Sequence, residues 1–213
     1  MSVTLRAGDS LLDSLSLSIL VAARTVVCDE WTGGPERRDP FARLYVVMSG
    51  SGRITVRGRD WILGAGAVVL VPSDTPVVLH RARGLDHFWT HFTARVAAGL
   101  SLFSVFEPPV LIESGSDDAR REATLVQAIV ERGLGDPASR FAAHTRLRLL
   151  LEPFIERGRW SDRTEQLARF YPAIEYIAEH LAEPIRTSDI AETVNLHPTY
   201  FANRFAEATG VAP

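Results

Sequence analysis

From Phe41 onward the chain alternates short apolar, β-prone runs with glycine. Leu44-Tyr45-Val46-Val47-Met48 is followed by Ser49-Gly50-Ser51-Gly52, and Arg53-Ile54-Thr55-Val56-Arg57 alternates polar and apolar residues. A period of two marks a strand with one face buried. Gly58-Arg59-Asp60 is expected to turn the chain into Trp61-Ile62-Leu63. Gly64-Ala65-Gly66 is expected to turn it again into Ala67–Val71, which Pro72 stops. A further strand is expected over Leu85–Ala94, with Leu85, His87, Trp89, His91 and Thr93 on one face. Strands at this spacing with no helix between them argue for an antiparallel sandwich or small barrel.

The period changes after Ser116. Ala119–Arg132 is rich in Ala, Leu, Arg and Glu, with Asp117-Asp118 as a possible cap, and Gly133 and Gly135-Asp136-Pro137 break it. A second helix is expected from about Ala138 to Leu151. Leu147, Leu150, Leu151 and Phe154 then form a narrow apolar stripe at i, i+3, i+4 and i+7. Pro153 lacks a donor and crowds the carbonyl of Leu149, which predicts a kink or stop. The polar stretch Glu156–Arg163 reads as a linker.

In the last segment Pro172 suits a first helical turn, and Ile174, Ile177, Ala178 and Leu181 repeat at helical spacing up to Pro184. Thr187 and Ser188 are candidate caps for a short helix over Asp189–Val194. Asn195 tolerates a left-handed turn, and Pro198 opens the next helix with His197 as a poor cap. Two helices this close have the spacing of a helix-turn-helix. Phase places Phe201, Phe205 and Ala208 inward, and Thr199, Ala202, Asn203 and Ala206 outward. Asn203 can bond adenine bidentately and the Thr199 methyl can touch thymine. Tyr200 and Arg204 fall on the flanks, where phosphate contact is expected, and His197 is a further candidate DNA contact.

Composition narrows the function classes. The chain has 213 residues, 46% of them apolar, and a formal charge of −3. That is neither a basic nucleic-acid coat nor an acidic disordered tail. All 23 basic residues are arginine. Cys28 is the single cysteine, which excludes a disulfide framework and favours a reducing cytoplasm. No run approaches the ~20 apolar residues of a membrane span, so no membrane partner is expected. Residues 165–213 hold 3 arginines against 7 acids, whereas 119–164 hold 9 against 6. The segment that looks DNA-binding is the most acidic, which predicts weak binding to promoter DNA by this chain alone.

The run Val47-Met48-Ser49-Gly50-Ser51-Gly52, then Leu63-Gly64-Ala65-Gly66 through Val71-Pro72 to Thr75-Pro76, resembles a cupin jelly roll. It is most similar to the cupins that begin AraC-type transcription regulators. The string from Ile190-Ala191 through Val194-Asn195-Leu196-His197-Pro198-Thr199-Tyr200-Phe201-Ala202-Asn203-Arg204-Phe205 to Thr209-Gly210-Val211-Ala212-Pro213 resembles the first helix-turn-helix of the same family. Asn203 stands where the family often has Arg, and His197 where it often has Ser. The resemblance implies an α+β chain in three parts. Residues 1–115 would be a cupin-like β-barrel (jelly roll) that binds a small-molecule effector. Residues 116–164 would be a helical dimerisation and linker segment, with Leu147, Leu150, Leu151 and Phe154 at a homodimer interface. Residues 165–213 would be a partial helix-turn-helix domain without the family's second helix-turn-helix, the chain being expected as a truncated product, with a naturally short protein as the alternative. It also implies a cytoplasmic, ligand-responsive regulator and not an enzyme.

Candidate effector contacts are Trp31, Tyr45, Trp61 and Trp89 as amphipathic walls, with Arg43, His80, His87 and His91 to fix a polar or anionic group. The loop Thr32–Pro40 is expected near the barrel mouth. Catalytic cupins carry a His-x-His pair and a later histidine. No such pair lies near Tyr45–Gly52, and Val77 stands five residues beyond Pro72. His87 and His91 would lie roughly 13 Å apart along a straight strand, too far to share one ion bound at ~2 Å. No metal or cofactor is therefore expected. The competing readings are a cupin metalloenzyme with a helical tail, and a shortened, binding-only regulator that dimerises with a full-length partner.

Overall fold

A computed structural model describes residues 11–27, 34–80, 82–112, 117–209 and 212–213. Trp31 and part of the Thr32–Pro40 loop lie outside the described residues. The chain forms two compact units: Leu17–Ala94 with Pro108–Arg159, and the remainder, Met1–Ser16, Arg95–Glu107 and Trp160–Pro213. The architecture is α+β, as the two sequence periods require: sheet first, helices after.

The sheet, among the described residues, has eight strands. They are β1 (Ser16–Val27), β2 (Ala42–Val56), β3 (Arg59–Leu63), β4 (Val68–Val71), β5 (Val77–Leu79), β6 (Arg83–Val96), β7 (Leu100–Ser101) and β8 (Leu111–Ile112). The path β1-β6-β2-β4-β8 is flanked by β3 and β5 on β2 and by β7 on β6. The first half of β2 lies between β6 and β4, with Arg43 opposite His91 on one side and Val71 on the other. Its second half lies between β3 and β5, with Ile54 opposite Trp61 and Leu79. Tyr45, Val47, Ile54, Val56, Val69 and Val71 close one buried cluster. On the opposite face Leu44, Val46, Val68, Leu70 and Phe92 are buried as well. Burial on both faces explains why Leu44–Val47 and Val68–Val71 read as unbroken apolar runs.

Two expected turns are corrected. Ser49–Gly52 does not separate strands; β2 runs through it as a bulged segment with register shifts between Val47, Ser49 and Ser51. Gly50 is there because its backbone is left-handed (φ 78°) and an added Cβ would lie 2.0 Å from the Gly84 carbonyl oxygen. The next reversal is the two-residue turn Arg57-Gly58 (φ 52° and 76°), closed by the Val56–Arg59 pair, and not Gly58-Arg59-Asp60.

Helices α1 (Asp117–Arg132) and α2 (Pro137–Arg157) complete this unit and pack on each other, α1 also on β2. Asp136 caps α2, its carboxylate accepting from the Ser139 N–H at 3.0 Å. Pro153 neither stops nor ends the helix. The Leu149 carbonyl that loses its helical donor is met by Arg121 Nη2 at 3.4 Å, and Arg157 Nη1 donates to the Pro153 carbonyl at 2.9 Å. The expected dimer stripe is also corrected: Leu147, Leu150 and Phe154 are 0% exposed and Leu151 2%. Those side chains are spent on the interior, while Phe141 (76%) and Leu149 (44%) are the exposed apolar residues of α2.

In the other unit α3 (Arg163–Arg169), α4 (Tyr171–Glu179), α5 (Thr187–Glu192) and α6 (Pro198–Thr209) enclose Phe170, Ala173, Ile190, Ala191, Phe201, Phe205 and Ala208. The Phe170 ring meets Phe201 and Phe205 at 5.9 and 5.8 Å, both edge-on. Asn195 takes the left-handed conformation (φ 54°). Thr187 and Ser188 are not caps; α5 already begins at Thr187, and the Arg186 N–H donates to the Asp189 carboxylate at 3.4 Å. Leu181 lies past the end of α4 and is 76% exposed, outside the expected apolar stripe. Within the same unit α4 packs on the short 3-10 turn Ala97–Gly99.

Candidate functional site

Strands β1, β2, β5 and β6 wall a cavity of about 220 Å³, lined by Thr25, Val27, Arg37, Arg43, Tyr45, Leu79, His87, Trp89 and His91. The register explains the gathering. Arg43 pairs with His91, Tyr45 with Trp89 and Val47 with His87 across β2 and β6, so alternate residues of both strands point to one side. On β1 the same alternation sends Thr25 and Val27 to the cavity and leaves Arg24 and Val26 exposed.

Arg43 is buried and pairs with Asp39, its guanidinium 5.2 Å from the centre of the Phe41 ring. The His91 ring stacks on Phe41 at 4.7 Å and meets Trp89 at 4.7 Å. Trp89 Nε1 donates to Thr25 Oγ1 at 2.8 Å, which ties β6 to β1. The Tyr45 and His87 rings lie 5.7 Å apart. The titratable groups are held uncharged. Burial, assisted by the positive charge of Arg43, takes His91 down to about 4. Burial also lowers His87 and pushes the Tyr45 hydroxyl up to about 12. The fixed cations of the wall are Arg37 and Arg43, and none of its described lining residues is a carboxylate.

Five expected contacts, Arg43, Tyr45, His87, Trp89 and His91, thus share one cavity. Trp61 and His80 do not line it. Trp61 packs against the buried cluster under Arg59, 4.4 Å from its ring centre. His80 Nε2 lies 2.7 Å from Thr55 Oγ1 and Nδ1 3.5 Å from Arg53 Nη2, both on β2. Thr25, Val27, Arg37 and Leu79 were missed. The first two carry a period-two signal that could have found them. Arg37 enters from the Gly34–Phe41 loop, which has no periodicity, bridged through its backbone to Val77. Among the described residues no group of three or more His, Cys, Asp or Glu could hold a metal ion.

On α6, Thr199, Asn203 and Arg204 are exposed, Tyr200 is 56% exposed and Ala202 half-buried, and His197, just before the helix, is exposed. Arg204 Nη1 pairs with Glu207 at 2.6 Å. Phe201, Phe205 and Ala208 face inward as expected. No described helix is long and apolar enough to cross a membrane.

Residues 23–151 match the family described as the AraC-like ligand binding domain. No curated protein matches the chain significantly. Among solved structures, the AraC-like transcriptional activator CuxR is 13% identical, with 92% of this chain and 71% of that one covered and a TM-score of 0.41. ToxT from Vibrio cholerae O395 is 8% identical over 93% and 76%, with a TM-score of 0.37. An oxalate decarboxylase variant from Bacillus subtilis is 20% identical over 37% and 21%, with a TM-score of 0.26.

Proposed function

The chain belongs to the AraC-like ligand-binding family, and on that premise we propose that it is a ligand-responsive transcription regulator whose cavity between β1, β2, β5 and β6 receives a small-molecule effector. The observation that carries this reading is the cavity itself, which lies within the matched residues 23–151 and is lined by convergent polar groups on an apolar wall. Its histidines and tyrosine are held neutral and its cations are fixed arginines. Such groups bind and orient rather than exchange protons near neutral pH, which favours a binding module over an acid–base catalyst.

The reading extends to promoter DNA through α5 and α6, a helix-turn-helix in which α6 is the recognition helix. Thr199, Ala202 and Asn203 read bases, and Tyr200, Arg204 and His197 hold phosphates. With 3 arginines against 7 acids in residues 165–213, this chain binds duplex at the non-specific level, ~10⁻⁴–10⁻⁶ M at physiological salt. A homodimer acting in the cytoplasm completes the proposal. The test is a thermal-shift screen of charged and neutral metabolites against the wild type and Leu79→Trp, which fills the cavity. Compounds that stabilise the wild type and not the filled variant support the effector site. A screen without any such compound overturns it.

A further inference from the structure

We infer that the cavity is built for a small monoanion, a single ring or comparably compact apolar body bearing one carboxylate placed between Arg37 and Arg43. This rests on the cavity being the effector site proposed above. Charge decides the valence. Among the described residues, two guanidinium groups and no carboxylate line the wall. Arg43 is already paired with Asp39, whereas Arg37 is exposed and has no carboxylate partner among the described residues. Among the described residues one positive charge is left uncompensated. A monoanion neutralises it, while a dianion would bring a second charge with no further cation among the described lining residues to answer it.

Hydrogen bonding decides the polar group. Thr25 Oγ1 accepts from Trp89 Nε1 at 2.8 Å, so its own proton is directed away from the indole and is available to donate. Both arginines are donors only. Burial keeps Tyr45 protonated, and hence also a donor, to about pH 12. Each neutral histidine adds one N–H donor beside its one acceptor nitrogen, so donors outnumber acceptors on the wall, and a planar carboxylate fits an arginine fork in two places at once.

Volume and wall decide the body. About 220 Å³ lies above the ~150 Å³ that holds benzene and below the ~300 Å³ at which drug-sized sites begin. Val27, Leu79 and the rings of Tyr45 and Trp89 supply the apolar side.

The probes are benzoate, the neutral isostere benzamide and the dianion phthalate, titrated by calorimetry into the full chain, Arg37→Gln, Arg43→Gln and Leu79→Trp. Arg43→Gln leaves Asp39 unpaired and can cost folding. Arg37→Gln changes an exposed side chain, and the backbone bridge of Arg37 to Val77 does not need it. The expected result is benzoate binding at least about tenfold tighter than benzamide or phthalate, with that preference lost in Arg37→Gln and all binding lost in Leu79→Trp. Benzamide binding as well as benzoate, still blocked by Leu79→Trp, overturns the monoanion and leaves the effector site standing. Benzoate binding undiminished in Leu79→Trp overturns both. No probe binding up to ~10 mM overturns the ligand class alone, the site then resting on the metabolite screen.

Discussion

Leu150→Ala separates a core role for the α2 stripe from an interface role. Leu150 is 0% exposed among Leu147, Leu151 and Phe154, themselves 0–2% exposed. Removing three carbons forfeits about 2.4 kcal/mol of transfer free energy at ~0.8 kcal/mol each. A residual cavity of roughly 60 Å³ at ~24 cal/mol per Å³ adds about 1.4 kcal/mol. The expected loss is therefore about 4 kcal/mol, a large share of the ~5–15 kcal/mol that holds a domain together. With a urea slope of ~2–3 kcal/mol/M the midpoint falls by about 1.5 M. Two compact units make a single transition unsafe. Trp160 belongs to the other unit, so a Trp160→Phe background lets tryptophan fluorescence follow the sheet unit alone. The midpoint shift should be the same at every protein concentration. A loss under ~1 kcal/mol refutes the packing argument. So does a midpoint that moves by ~1.4 kcal/mol per tenfold dilution, the mass-action signature of an interface.

Gly50→Ala should cost more than ~3 kcal/mol or abolish folding, because the new methyl would overlap the Gly84 carbonyl at 2.0 Å on a left-handed backbone; soluble yield and circular dichroism check it. His91 has its pKa lowered to about 4 by burial and Arg43, so it is protonated more readily in the unfolded chain, near 6.5. The stability this contributes is present above about pH 6.5 and is lost as pH falls towards about 4. Thermal midpoints from pH 7 to 4 should fall less steeply in His91→Gln than in the wild type, and parallel curves would refute it. Arg204→Ala should weaken duplex binding alike on all sequences and reduce the salt slope by about 1, whereas Asn203→Ala should leave that slope unchanged, read by anisotropy over a salt series.

Period-two alternation was enough to place His87, Trp89 and His91 on one face of β6, whereas Tyr45 stands in an unbroken apolar run and reaches the same side through its pairing with Trp89. Phase along α6 likewise separated Phe201 and Phe205 from Asn203. What escaped was decided by tertiary context. A glycine at 50 reads as a turn, yet its role is to let β6 approach a bulged strand. Pro153 reads as a kink or stop, yet the helix runs on to Arg157, and Arg121, 28 residues away from Leu149 in sequence, donates to the carbonyl left without its helical donor. Leu147–Phe154 reads as a partner surface, since one helix in isolation cannot tell a sister helix from a second copy. Arg37 had no pattern at all, and only its bridge to Val77 brings it to the cavity.

The double pairing of β2 bears on how the domain assembles. Its turn at Arg57-Gly58 can form a hairpin with β3 from neighbouring residues alone, on the ~1–10 μs scale of hairpin closure. The other half of the same strand waits for β6, whose partners lie about 40 residues or more away along the chain, so loop-closure entropy is spent before those contacts form. One strand is thus both the earliest and the latest to be completed. Amides of Gly52–Val56 should gain protection first in pulse-labelled refolding and those of Ala42–Val47 last, so the ligand cavity is finished only with the final zipping of the sheet.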